Sequence, residues 1–179
     1  FCMRATGIVR RIDELGRVVI PKEIRRTQRI HSGDALEIFT DGKGEVVFKK
    51  YSPLAELGEP AAAYADVLAR RLGCGVAVCD REKIVAAAGA GRSELLGEPL
   101  PPELDALLAR RKLYTAPEEP LHRVALGSRW LLCAAPVLVH GDIEGGVLLP
   151  GMRRDAVPDP ETIRAAATAA EFLARWMGE

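Results

Sequence analysis

Aromatic residues make up only 5% of this 179-residue chain, and none falls between residues 2 and 38, where its cations are densest. A surface that stacks single-stranded bases needs rings among its cations, so that mode of binding is argued against. Cysteine is sparser still, with four residues. Cys2, Cys74, Cys79 and Cys133 contain no C-x-x-C pair, and His31, His122 and His140 are scattered. No zinc-ligand spacing results, and no metal or cofactor is expected. The thiols read as buried and reduced, with a reactive Cys79 or Cys133 as the alternative. No apolar run approaches the roughly 20 residues that span a bilayer, and no secretory leader is recognisable, so a cytoplasmic protein without a membrane partner is expected. Phe1 and Cys2 stand ahead of Met3, where the recognisable pattern begins, and read as an extension.

What is present is an ordinary globular balance, 48% hydrophobic and 28% charged, with room for one large domain or two small ones. The net charge of zero conceals an asymmetry. Residues 1–53 carry 11 Lys/Arg against 7 Asp/Glu, a surplus of 4, and residues 54–179 carry the compensating deficit. A basic head on an acidic body implies that the head alone meets a polyanion.

The head turns on "GRVVIPKEIRR", residues 16–26. "TGIVRRI" (6–12) and "RVVI" (17–20) are β-branched and bracket "DELG", where Gly16 can take a positive φ; two strands are predicted. Pro21 suits the first position of a helix of about two turns. "ALEIF" and "EVVFKK" then flank Asp41-Gly42, a hairpin signal. Four short strands and one short helix are too little chain for a good core, so the head is expected to complete its sheet as an obligate dimer. Lys22, Arg25, Arg26 and Arg29 follow one another at i, i+3, i+4 and i+7, a helical stripe, while Ile24 points away from it. Arg10, Arg11 and Arg17 flank the preceding loop. Charged stripes are usually only solvated faces. Here the sole interleaved acid is Glu23, off the stripe, and guanidinium groups suit phosphate bidentately, so double-stranded DNA is the expected partner of these seven cations.

Residues 3–53, and "TGIVRRIDELGRVVIPKEIRR" above all, closely resemble the DNA-binding domain of AbrB-type transition-state regulators. The resemblance implies a swapped-hairpin β-barrel dimer and sequence-tolerant DNA binding. The family's DNA-contacting arginines match Arg10, Arg17, Arg25 and Arg26; Gln28 departs from the apolar residue common at its position.

The body, residues 54–179, opens with Leu57, Ala61, Tyr64, Leu68 and Leu72 at helical spacing, with Pro60 implying a kink or a start. "CGVAVCD" and "KIVAAAG" read as a hairpin through "DRE", and "ELLGEPLPPELDALLARRK" as short helices around a proline break. "LHRVALG" (121–127), 129–141 and 143–151 read as three strands. Asp159 and Pro160 start a closing helix whose Ile163, Ala167, Ala170, Ala174 and Met177 form a seam for another helix. About five strands with helices on one face make an α+β domain. "VAVCDREKIVAAAGAGRSELLGEPL" (76–100) and "APVLVHGDIEGGVLL" (135–149) resemble a GAF domain, and the whole chain resembles sporulation regulators that join an AbrB-type head to a GAF-like body. That resemblance implies gene regulation in the developing spore, and a small-molecule pocket lined around Val78, Ala87, Leu132 and Val147 and the loop carrying Arg92. The cyclic-nucleotide pattern of such domains is absent, and Gly89 with Gly91 lacks the third glycine of a phosphate loop. The bland alternative is a body that only dimerises.

A transcription regulator is the leading reading, not an enzyme. Dimeric heads and bodies that pair different chains would make a tetramer. An antitoxin of the same head fold would carry a short flexible tail instead of a patterned body. A thiol reductase on a GAF fold would need paired cysteines, and Cys74 with Cys79 fits poorly.

Overall fold

Period-two sequence on both sides of Asp41-Gly42 gives the first hairpin, β1 (Leu36–Thr40) against β2 (Val46–Lys50), with Ile38 opposite Phe48. The Asp41 carboxylate closes it by accepting the Lys43 amide at 3.0 Å and the Glu45 amide at 2.7 Å. The structure, a computed structural model, describes residues 5–117 and 123–178. Cys2, His122, the question of residues 1–2 and the start of the strand expected over 121–127 therefore lie outside the described residues. The chain divides into two units between Tyr51 and Ser52.

In the first unit, the arms expected as strands over 6–12 and 17–20 join no ladder. Their turn forms as the sequence predicts: Gly16 has φ +77°, its amide donates to the Asp13 carbonyl at 2.9 Å, and the Asp13 amide donates to the Arg17 carbonyl at 3.0 Å. Strands need neighbours, and a single copy supplies none; Val9, Ile12, Leu15 and Val19 stand 69–84% exposed. Pro21 is buried and ends the second arm. It is the N-cap of α1 (Lys22–Thr27), with ψ 147°, and not the first helical residue. Gln28 caps the other end, and Arg29 has φ +52°.

In the second unit, Ser52 caps α2 (Pro53–Glu56) by accepting the Ala55 amide, and donates its own hydroxyl to Asp80 at 3.0 Å. α3 (Gly58–Leu72) follows. Pro60 makes no kink, because it sits in the first turn, where a backbone N–H has no helical acceptor. A sheet of six strands, one more than expected, carries the rest: β3 (Val76–Cys79), β4 (Ile84–Ala88), β5 (Tyr114–Thr115), β6 (Ala125–Leu126), β7 (Arg129–Val139) and β8 (Asp142–Gly151). Their order is β4-β3-β8-β7-β5 with β6 also on β7, all antiparallel. The additional strand, β5, is two residues long and has no period to read. Between β4 and β5 lie α4 (Arg92–Leu95) and α5 (Pro102–Leu108); α6 (Pro160–Met177) closes the chain.

The sheet buries both faces. On one, Val76, Val78, Cys133, Val147 and Leu149 meet Ala61, Ala65 and Ala69 of α3 and Ala166, Ala169, Ala170 and Leu173 of α6. Alanine ridges let these helices lie close to the strands, and the larger Leu57, Tyr64, Leu68 and Leu72 seal the flanks half-buried. The side of α6 turned to the sheet is centred on Ala166, Ala169, Ala170 and Leu173; of the seam expected for another helix, Ala170 lies on that side, and Ile163, Ala167, Ala174 and Met177 are half-buried beside it. On the other face, Ile84, Leu131 and Leu148 meet Leu95, Leu104 and Leu108 of the helical insertion. Each such leucine is worth roughly 1.5–3 kcal/mol when fully buried. Gly145 is forced by close approach: a Cβ there would lie 2.0 Å from the Cys79 carbonyl oxygen and 2.6 Å from Leu54. Among the described residues, no helix is long and apolar enough to cross a membrane.

Candidate nucleic-acid interface

A two-turn helix entered through a buried proline is held at one end while its polar side stays in solvent. On α1, Lys22, Arg25 and Arg26 are exposed and share a face, and Ile24 is half-buried away from them. Arg29 does not complete the stripe. The helix ends at Thr27, and the left-handed backbone at Arg29 takes that side chain out of register, although it too is exposed. The sequence spacing carried the helix two residues further than "RRTQRI" sustains.

Arg10, Arg11 and Arg17 are exposed along the arms. Arg17 is held: its Nε donates to Asp13 Oδ2 at 2.8 Å, and its amide donates to Asp13 Oδ1 at 2.8 Å. Those bonds, the backbone one first, hold the Asp13 carboxyl below its usual range. The pair is exposed and worth little to stability, but it fixes where the guanidinium stands. The arrangement can supply several cations to consecutive phosphates, and no ring among them could stack a base.

The five pocket candidates of the body are not brought together. Val78 and Val147 are register partners under α3 and α6, whereas Ala87 pairs with Ala77 and packs on the opposite face. Alternation along a strand separates them. Leu132 is half-buried at a bulge in β7, and Arg92 is exposed. The glycine loop is occupied by protein: Arg129 lies against Gly91, where a Cβ would stand 2.1 Å from its Nε, and reaches Glu94 at 3.3 Å. The Ser128 hydroxyl, and then Arg129, hold the Glu94 carboxyl low.

Sequence reading missed the body's buried charges, Asp80, Arg123 and Arg129. Asp80 organises the β3–β4 turn, accepting the Glu82 and Lys83 amides at 2.7 and 2.8 Å. Its place in "DRE", directly after an apolar strand, was the available signal. Burial pushes the Cys133 thiol up to about 12 and drives Cys79 up as well, with Asp80 adding to the latter; Cys74 is raised by burial and by Asp159. Among the described residues, no cluster of three metal-ligating side chains occurs.

Against known proteins, residues 56–178 match the family described as "Stage V sporulation protein T C-terminal, transcription factor", and residues 9–55 match "Antidote-toxin recognition MazE, bacterial antitoxin". The chain is 41% identical to stage V sporulation protein T of Bacillus subtilis (strain 168), over 98% of this chain and 99% of that one. It is 59% identical over 51 residues to the transition state regulatory protein AbrB of the same organism, covering 28% of this chain and 52% of AbrB. Among solved structures, the type II free methionine-R-sulfoxide reductase of Thermoplasma acidophilum shares the body's fold at 14% identity and a TM-score of 0.51, covering 68% of this chain and 94% of that one.

Proposed function

The chain belongs to the stage V sporulation protein T family, and from that premise we propose that it is a DNA-binding transcription regulator of spore development. It works at the nucleoid of the forespore cytoplasm. The observation that carries this reading is the 41% identity along essentially the whole of both chains, and the head's exposed cations give it a mechanism. Arg10, Arg11, Arg17, Lys22, Arg25 and Arg26, with Arg29 beside them, contact the phosphates of double-stranded DNA, and sequence tolerance follows because backbone contacts carry no base identity.

The head acts as a swapped-hairpin dimer. Its support is the apolar arms, which join no ladder among the described residues, and the hairpin faces at Ile38 and Phe48, 61% and 47% exposed. A second copy gives these strands edges to pair with and buries their side chains. The body is GAF-like. It pairs through α3 and α6, where Tyr64 stacks on Phe172 at 4.8 Å and Trp176 extends the aromatic patch into solvent. If head and body pair different chains, the product is a tetramer with two DNA-binding faces. The body further serves as a small-molecule sensor.

The head's match to an antitoxin family favours a second reading, in which the head partners a toxin. The AbrB relation over the same stretch and the 123-residue patterned body weigh against it. The reductase shares a fold with the body, but that chemistry needs a thiolate, and the buried thiols at Cys79 and Cys133 resist ionisation.

Native mass spectrometry of the full chain, with fluorescence anisotropy on a generic duplex, tests the reading. A tetramer whose DNA affinity falls steeply with salt supports it. A monomer, or a duplex affinity indifferent to salt, would overturn it.

A further inference from the structure

Arg123 sits beside β7 with 6% of its surface exposed. The Leu131 amide donates to the Val124 carbonyl at 2.9 Å and so fixes the backbone next to it. Its Nη1 donates to the Ala156 carbonyl oxygen. Nε and Nη2 are buried and have no hydrogen-bond partner among the described residues. Those two nitrogens share one edge of the guanidinium, the edge whose parallel N–H bonds match the two oxygens of an oxyanion. The hydroxyl of Tyr114, on the neighbouring edge strand β5, is also buried and has no hydrogen-bond partner among the described residues. The Ala116 amide donates to the Leu132 carbonyl at 2.7 Å, next to the Leu131–Val124 bond, so Tyr114 and Arg123 flank the same stretch of β7; burial raises the Tyr114 pKa and Arg123 lowers it.

Among the described residues the buried fork of Arg123 has no hydrogen-bond partner, and the neighbouring phenol provides a third donor. The nearby acid does not answer it. Asp155 is committed to Arg153 through bonds of 3.0 and 2.5 Å, and Arg153 dominates the lowering of its carboxyl. Around the donors the surface is apolar, since Tyr114 and Val124 pack against the leucine cluster of the insertion face. One positive charge, a two-toothed fork, a hydroxyl and an apolar wall suit a singly charged planar oxyanion on a small hydrocarbon body. A phosphate dianion would bring one charge too many, with Asp155 close by.

We propose that the Arg123 fork and the Tyr114 hydroxyl bind the carboxylate of a small organic ligand. This deepens the sensing part of the function above and rests on it, adding the ligand's chemical class and its donors. None of the five pocket positions predicted from sequence supplies them.

The test is thermal unfolding and calorimetric titration of the full-length protein with sodium acetate and sodium butyrate. Sodium chloride at equal ionic strength and inorganic phosphate are the comparison arms. Saturable stabilisation by the carboxylates, tighter for butyrate, is expected. Tyr114→Phe should weaken it by about tenfold, the worth of one hydrogen bond to a charged group, and Arg123→Gln should abolish it. If Arg123→Gln does not fold, Tyr114→Phe carries the test alone. Equal saturation in wild type and Tyr114→Phe overturns the proposal, as does a response to phosphate alone or one no larger than chloride's. So does a carboxylate response that appears only in Glu118→Gln or Glu119→Gln, since the chain's own acid would then fill the fork. Native mass spectrometry separates this failure from failure of the sensing reading. A small molecule retained equally by wild type and Arg123→Gln leaves a sensor with a different site. A body that retains no small molecule and answers no carboxylate ends both.

Discussion

Replacing Arg25 and Arg26 by alanine removes two exposed cations from α1, and in a dimer removes four. Each neutralised phosphate steepens the fall of log affinity with log salt by about 0.9, so the double variant should be shallower by up to about 3.6. Between 50 and 200 mM salt, that difference compounds to a roughly 150-fold change in the ratio of wild-type to variant affinity. Stability should hardly move, because both side chains are solvated and alanine is the better helix former; a change within about 0.5 kcal/mol is expected. Anisotropy titrations of one labelled duplex at four salt concentrations read the slope directly, and native mass confirms that the assembly is intact. Arg110→Ala with Lys112→Ala, two exposed cations of the body, is the matched control and should leave the slope alone. An unchanged slope in an intact Arg25/Arg26 variant would refute the assignment of this helix face to DNA.

Gly145→Ala should destabilise the body by about 3 kcal/mol, because the new methyl meets the Cys79 carbonyl and Leu54 and one strand must shift; a denaturant midpoint equal to wild type would contradict the close approach. Asp159→Ala deletes an N-cap that accepts the Glu161 and Thr162 amides, each at 2.9 Å, and should lower the denaturant midpoint in the same assay; an unchanged midpoint would count against the cap. Cys79 and Cys133 should stay silent to a thiol reagent at pH 8 until the protein is denatured. Their folded pKa values are raised, so the folded state holds the protons longer. Stability is therefore full below the unfolded value near 9 and declines as pH rises toward about 12 for Cys133, at about 1.4 kcal/mol per pH unit per thiol. Cys133→Ala should flatten that decline, and an equally steep curve would put its thiol in water.

Legibility varied with how local the cause was. Asp41-Gly42, the Asp13–Gly16 turn and Asp159-Pro160 were readable because each is settled by residues within one turn. The arms at 6–12 and 17–20 have strand-like sequence but no ladder in one chain, since pairing is a property of two strands and the composition shows only one side of it. Arg29 looked helical by spacing, yet spacing is blind to where a short helix stops. In "RAAATAAEFLAR" the apolar period has almost no phase, so the buried stripe of α6 was free to rotate until the sheet chose Ala166, Ala169, Ala170 and Leu173. The pocket candidates were apolar positions on strands, and membership in a strand does not say which face until the register is known. Arg123 gave no signal at all. A single arginine in a short strand-like stretch is normally turned to solvent, and its burial depends on a carbonyl thirty-three residues away.

The alanine contacts between α3, α6 and the sheet have a mechanical corollary. A leucine or methionine at a contact can absorb a small displacement by changing rotamer, whereas alanine has no rotamer to change. At Ala61, Ala65, Ala69, Ala166 and Ala169 the helices therefore rest on the strands as on fixed shims. A push on the sheet is not damped there; it either shifts a helix as a rigid rod or meets the full stiffness of the core.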